Sequence, residues 1–206
     1  MKKYLSFFVI IIIFAAVTTS NPKSAEASHN SNNIYKKIEK LDDDPVEKIA
    51  LPIMYGVSVE NLQDTFGDSR SGGRTHEGID IFAARGTIIA TPTEAVVTKT
   101  ADKGLGGVQV WTANPGGESY YYAHMNAIWP DLKVGDELEK GDPIGFVGDT
   151  GNALGTSPHL HLGIYSKDRE VINPYERITK TFTIDTIIDA LKDYVEILRD
   201  ELKKRS

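Results

Sequence analysis

A mainly β fold closed by one C-terminal helix is predicted by three features of the sequence. Short runs rich in β-branched and aromatic residues recur from Leu51 to Tyr165, glycine-rich turns separate them, and strong helical spacing is sustained only in the last two dozen residues. No long helical period interrupts the β runs, so an antiparallel β-sheet core is expected, and alternating β-α units are not. Eighteen glycines in 206 residues favour tight turns over long helices. A hydrophobic share of 40% beside a charged share of 25% fits one ordinary soluble globule with an appendage.

At the start of the chain, Met1-Lys2-Lys3 and the apolar run Leu5 to Val17 read as the positive and hydrophobic regions of a secretory signal. The run is short for a membrane span. Ala25-Glu26-Ala27 supplies the small-x-small pattern that a signal peptidase reads. Residues 1–27 are therefore expected to be a cleaved signal peptide, with an uncleaved membrane anchor as the alternative. Either reading puts the protein outside the cytoplasm, whether secreted, periplasmic or associated with the cell wall. Residues 28–50 are polar, carry Asp42-Asp43-Asp44-Pro45, and show a weak helical pattern at Ile34, Ile38 and Leu41. A solvated linker is the expectation there; a pro-segment covering the site is the alternative.

Residues 51–180 form the expected β domain, with strands at Ile79–Phe82, Thr87–Ala90, Ala95–Thr100, Gly107–Thr112, Ser119–Ala123, Asp142–Val147 and Leu160–Tyr165. Turns such as Asn114-Pro115-Gly116-Gly117 join them. In residues 181–206 the apolar positions Ile184, Ile187, Ile188, Leu191, Val195, Leu198 and Leu202 fall at helical spacing. Asp185 and Asp189 near its start, and Lys203, Lys204 and Arg205 at its end, complement the helix dipole. This amphipathic α-helix of about five turns is expected to pack on the β core or to self-associate. Its mixed charge disfavours a membrane-surface role.

The formal net charge is -6, and removing residues 1–27, which carry three lysines and one glutamate, leaves the rest more acidic. That balance speaks against a nucleic-acid partner and against bulk attraction to an anionic membrane or wall polymer. Any membrane contact would come through an uncleaved signal. The absence of cysteine excludes disulfides and thiolate metal sites, so a metal must be held by nitrogen and oxygen.

Those donors are concentrated. Side chains alternate across a strand, so His159 and His161 of Pro158-His159-Leu160-His161 share one face, with Leu160 on the other. His76 and Asp80 are four apart, and the β-type neighbours Ile79, Ile81 and Phe82 favour a strand that projects both together. With His161 they could form a His-Asp-His set. Three protein ligands and one open position make the arrangement of a catalytic zinc, which brings the pKa of its water to roughly 7. His124 and His159 would then lie beside the metal, one to take and deliver a proton and the other to stabilise an oxyanion. Two histidines and a carboxylate would also suit non-haem iron. A zincin helix with Glu77 as base is disfavoured by Gly78 and by the missing second histidine. Val134 to Asp142 shares hairpin character with the biotinyl/lipoyl hammerhead but has no carrier lysine in the required setting.

Longer motifs carry a resemblance. They are Thr65-Phe66-Gly67-Asp68 leading to Arg74-Thr75-His76-Glu77-Gly78-Ile79-Asp80-Ile81, Tyr121-Tyr122-Ala123-His124-Met125, Lys140-Gly141-Asp142, Gly145-Phe146-Val147-Gly148-Asp149-Thr150-Gly151 and Pro158-His159-Leu160-His161-Leu162. From about Leu51 to Pro174 the chain resembles the M23 (LytM/lysostaphin-type) zinc metallopeptidases in order and spacing. The resemblance implies the LytM/M23-type β scaffold, one zinc ion held by His76, Asp80 and His161, and catalytic roles for His124 and His159. It further implies an endopeptidase that hydrolyses stem or cross-link peptides of bacterial peptidoglycan. A peptidoglycan-binding or hydrolase-activating module without turnover is the alternative, and the intact ligand positions weigh against it. Met125 stands where leucine is commoner, a conservative apolar exchange. Loops near residues 99–106, 113–119 and 149–157 are expected to choose the bond, and the helix after Thr183 lies beyond the shared region.

Overall fold

The computed structural model describes residues 31–205; the signal-peptide reading of residues 1–27 lies outside them. A short helix α1 spans residues 31–38. The strands follow as β1 (Ile49–Ala50), β2 (Ser69–Arg70), β3 (Arg74–Thr75), β4 (Ile79–Phe82), β5 (Ile88–Ala90), β6 (Ala95–Asp102) and β7 (Val108–Asn114). Then come β8 (Glu118–Ile128), β9 (Glu137–Leu138), β10 (Pro143–Val147), β11 (His159–Tyr165), β12 (Val171–Ile172), β13 (Ile178–Lys180) and helix α2 (Ile184–Arg205). Every strand expected from the β runs forms, most with small shifts at the ends, but β8 runs past the expected Ala123 to Ile128 and so takes in His124.

The main sheet runs β12-β11-β8-β7-β6-β9, with β4 beside β11 and β10 joining β8 to β5. All its pairings are antiparallel. The alternation that defines the strands also builds the core. Leu160, Leu162 and Ile164 of β11, Ile79 and Ile81 of β4, and Tyr120 and Tyr122 of β8 are almost completely buried in one cluster. Each fully buried aliphatic side chain there contributes roughly 1.5–3 kcal/mol over its exposed state.

A second apolar cluster forms where α2 lies against the sheet. Ile187, Ala190, Tyr194 and Ile197 pack on Ala50, Ile88, Ala90, Trp129, Phe146 and Phe182. Tyr194 stands 5.3 Å from Trp129 and 5.0 Å from Phe146, ring centre to ring centre. Among the described residues no helix is long and apolar enough to cross a membrane.

Residues 31–50 fold back onto the body. Lys37 Nζ donates to the Gly135 carbonyl at 2.6 Å, and both Lys37 and Lys40 approach Glu137 at 3.4 Å. Gly116 N–H donates to the Asp42 carbonyl at 2.8 Å, and β1 pairs in parallel with β13. These contacts tie the segment to the hairpins at residues 115–117 and 133–138.

Candidate metal centre

The centre is assembled from four stretches. In β11, His159 and His161 face one way and Leu160 the other, as the strand alternation requires. Antiparallel pairing sets Asp80 of β4 directly opposite His161, while Ala123 of β8 flanks His161 on the other side. His76 is not on the expected continuous strand, because the chain bends at Glu77-Gly78 between β3 and β4. The bend still returns the imidazole to Asp80. It depends on a glycine, since a Cβ at position 78 would lie 2.3 Å from the Leu162 carbonyl oxygen and 2.9 Å from His161 Cε1.

His124 arrives by a different device. Tyr120 and Tyr122 point into the core while Tyr121 and Ala123 face the cleft, so simple alternation would bury His124 beside Tyr122. Instead His124 has φ of +61°, and the register of β8 shifts at Met125. This irregularity turns the imidazole onto the cleft and lets Met125 take the core position.

Three electron-pair donors converge here. His76 Nε2 lies 2.8 Å from His161 Nδ1 and 3.0 Å from Asp80 Oδ1, and the last two are 3.3 Å apart. Four ligands at 2.0–2.1 Å in a tetrahedron stand about 3.3 Å from one another, so the three fit one face around a zinc-sized ion to within about half an ångström. The residues also fit chemically: two imidazoles and a carboxylate form a catalytic-type donor set with one position open. His76 Nδ1 is 2.6 Å from both the Thr65 carbonyl and Arg70 Nη2. One Nδ1 cannot accept from a guanidinium and donate to a carbonyl at once: with its proton on Nδ1 the ring serves Thr65, leaves Arg70 to Asp80, and turns the Nε2 lone pair toward Asp80 and His161.

Burial by itself would raise the Asp80 carboxyl, but hydrogen bonds with His161 and His76, and their charge, hold it far below the usual carboxylate range. Burial pushes His161 down, against the opposing pull of Asp80. Burial also pushes His124 down to about 4, against the Thr150 carbonyl. His124 Nδ1–H donates to the Thr150 carbonyl at 2.9 Å and His159 Nδ1–H to the Ser157 carbonyl at 2.8 Å. In the neutral rings both Nε2 lone pairs are therefore free, and that of His159 lies 3.9 Å from Asp80 Oδ1. The His124 and His159 ring centres are 5.1 Å apart.

Arg70 is a participant that sequence reasoning missed. Its Nη2 donates to Asp80 Oδ2 at 2.5 Å, which leaves Oδ1 to the two histidines. The available signal was the tip Ser71-Gly72-Gly73, whose positive-φ glycines close the β2–β3 hairpin and carry Arg70 over the site. The surrounding cleft, of about 590 Å³, is also lined by Leu105, Gly106, Asn152, Ala153 and Thr156. Thus parts of the loops at 99–106 and 149–157 reach it, whereas residues 113–119 and 31–50 do not line it. Tyr121 and Tyr165 line one side, and Trp111 stacks on both, centred 4.2 Å from Tyr121 and 5.5 Å from Tyr165.

A family model described as peptidase family M23 matches residues 74–174. The L-Ala--D-Glu endopeptidase of Bacillus subtilis is 36% identical over 112 residues, 51% of this chain and 34% of that protein. The DD-carboxypeptidase/endopeptidase Mpg of Neisseria meningitidis is 36% identical over 88 residues, 43% of this chain and 19% of that protein. The chain thus spans about a third and a fifth of these two relatives. The solved structure of Csd3 from Helicobacter pylori superposes with a TM-score of 0.51 at 27% identity, covering 77% of this chain and 44% of that one.

Proposed function

The chain belongs to peptidase family M23 through residues 74–174, and from that premise we propose that it is an exported, zinc-dependent endopeptidase acting on stem or cross-link peptides of bacterial peptidoglycan. The observation that carries the reading is the convergence of His76, Asp80 and His161 beside two histidines whose free Nε2 atoms share their cleft. Residues 1–27 would export the protein, and relatives named as an L-Ala--D-Glu endopeptidase and a DD-carboxypeptidase/endopeptidase fit an extracytoplasmic place of work.

His76, Asp80 and His161 would hold the zinc ion. When bound, zinc supplies Lewis acidity and the activation of water as a nucleophile. Arg70 fixes the Asp80 carboxylate, and the Thr65 carbonyl fixes the His76 tautomer. His124 and His159 hold or release a proton at Nε2, because their Nδ1 atoms are committed to the Thr150 and Ser157 carbonyls. One acts as proton acceptor and then donor to the leaving amine, and the other, as a hydrogen-bond donor, stabilises the oxyanion. Leu105, exposed on the loop that lines the cleft, offers an apolar contact to the body of a bound peptide.

The test is metal content together with soluble muropeptide release from purified peptidoglycan, for the mature protein and two variants. His161→Ala should lose both metal and cleavage. His124→Ala should keep metal and lose turnover by about 10²–10⁴-fold. Cleavage by His124→Ala at the parent rate would overturn the assignment, and zinc without cleavage in the parent would favour the non-catalytic module.

A further inference from the structure

Helix α2 carries two apolar stripes, and the body of the protein uses one. Ile187, Ala190, Tyr194 and Ile197 face the second core cluster. Ile188, Leu191, Val195 and Leu198 each follow one of these by a single residue, which sets their stripe about 100° further round the helix. With Ile184 and Leu202 at its ends, this second stripe is 40–74% exposed along its length. Its spacing is four, three, four, three, four, the a/d repeat of a coiled-coil seam.

We propose that this seam docks on the α2 seam of a second copy of the chain, in an antiparallel pair. The choice of a helical partner follows from the 3.5-residue repeat, which keeps a stripe facing another helix; a lipid surface or a flat protein face has no need of it. Because α2 is already anchored by its other stripe, pairing does not bear the cost of nucleating the helix, so under three heptads can suffice.

The choice of this chain as partner, and of the orientation, follows from charge. The solvent side of the seam carries Asp185, Lys192 and Arg199 next to the apolar positions, with Asp189, Glu196 and Lys203 beyond them paired within the helix to Lys192, Arg199 and Asp200. Parallel pairing would set this flank against the opposite flank of the partner helix, where Ile187 and Tyr194 already pack on the body. Antiparallel pairing sets Asp185 of each copy against Arg199 of the other, e position to e position, with Lys192 beside the dyad. The apolar layers agree: about a midpoint at Asp193, Ile184 meets Leu202, Ile188 meets Leu198, and Leu191 meets Val195. A flank that holds both signs also argues against an anionic membrane as occupant.

Since the chain has no native cysteine, single-cysteine variants of the exported protein report the arrangement directly. With a short bismaleimide, Lys192→Cys, close to the dyad, should give a cross-linked dimer. Asp185→Cys should not, because two copies of position 185 would be about 24 Å apart along the antiparallel pair. Sedimentation velocity should show a dimer that Leu191→Asp with Val195→Asp converts to monomer without loss of fold. The double variant Asp185→Arg with Asp189→Arg should weaken the dimer about tenfold, and mixing it with Arg199→Glu, Lys203→Glu should restore pairing. Cross-linking through Asp185→Cys, a monomer at every concentration, association that survives the seam variant, or vesicle binding by a monomer would each overturn the proposal. None of these readouts requires peptidase activity.

Discussion

His124 reaches the cleft because its backbone is left-handed, at φ +61°. Such a conformation costs a non-glycine residue on the order of 1–3 kcal/mol, and the Thr150 carbonyl on Nδ1 and the Gly106 carbonyl on its backbone N–H hold it there. Burial brings the ring down to about 4, below the ordinary value near 6.5. The sign of the pH effect follows. The unfolded chain binds this proton first, so the stability it represents is present above about 6.5 and is lost as pH falls toward 4. Urea midpoints of the metal-free protein should therefore drop more between pH 7 and pH 5 than those of His124→Asn, a side chain that tolerates the same backbone. Equal drops would mean that His124 is protonated as easily folded as unfolded. Gly78 is constrained by space instead of dihedral angle. Gly78→Ala drives a methyl against the Leu162 carbonyl at 2.3 Å and His161 Cε1 at 2.9 Å, so β4 and the His161 ring must separate. Zinc affinity in a competitive chelator titration should fall by about 10–100-fold, the range for disturbed ligand support.

At the scale of elements, the loops beside the cleft are latched by Thr150. Its Oγ1 accepts the Val108 N–H at 2.9 Å and donates to the Met125 carbonyl at 2.8 Å, while its own carbonyl receives His124. Thr150→Val keeps the shape and strands the Val108 N–H and the Met125 carbonyl, which should cost about 1–3 kcal/mol for a buried unpaired group in urea unfolding. This latch shows where sequence reading succeeds and stops. The strands were legible because alternation is a local consequence of pleating, and so was the shared face of His159 and His161. Alternation misleads at His124, where the departure from it is imposed by contacts with residues 106 and 150. Arg70 was hidden for a similar reason: a two-residue strand has no period to read, and its link to Asp80 is made by a hairpin folding over the site. The weak pattern at Ile34 and Ile38 is outweighed in the sequence by the polar composition that reads as a linker, and the docking of α1 depends on the Gly135 carbonyl and Glu137, far away in sequence.

For the molecule as a whole, the donor set joins the bend at His76 to the main sheet, beside the hydrogen bonds that Arg70 and Thr65 make with Asp80. His76 sits on a bend outside the main sheet, whereas Asp80 and His161 belong to paired central strands. An ion shared by the three would close the loop from residue 76 to residue 161 and oppose any motion of the β2–β3 hairpin away from β11. Such a ligand binds the native state alone, so it stabilises by RT ln(1 + [L]/Kd), about 2.7 kcal/mol at a hundredfold excess over Kd. For a chain of this size each kcal/mol shifts Tm by roughly 2–4 °C, so zinc should raise the melting temperature of the chelator-treated protein by about 5–10 °C. His124→Ala, outside the donor set, should respond as the parent does. His161→Ala should melt at one temperature with or without zinc, and an undiminished shift in that variant would place the ion elsewhere on the protein.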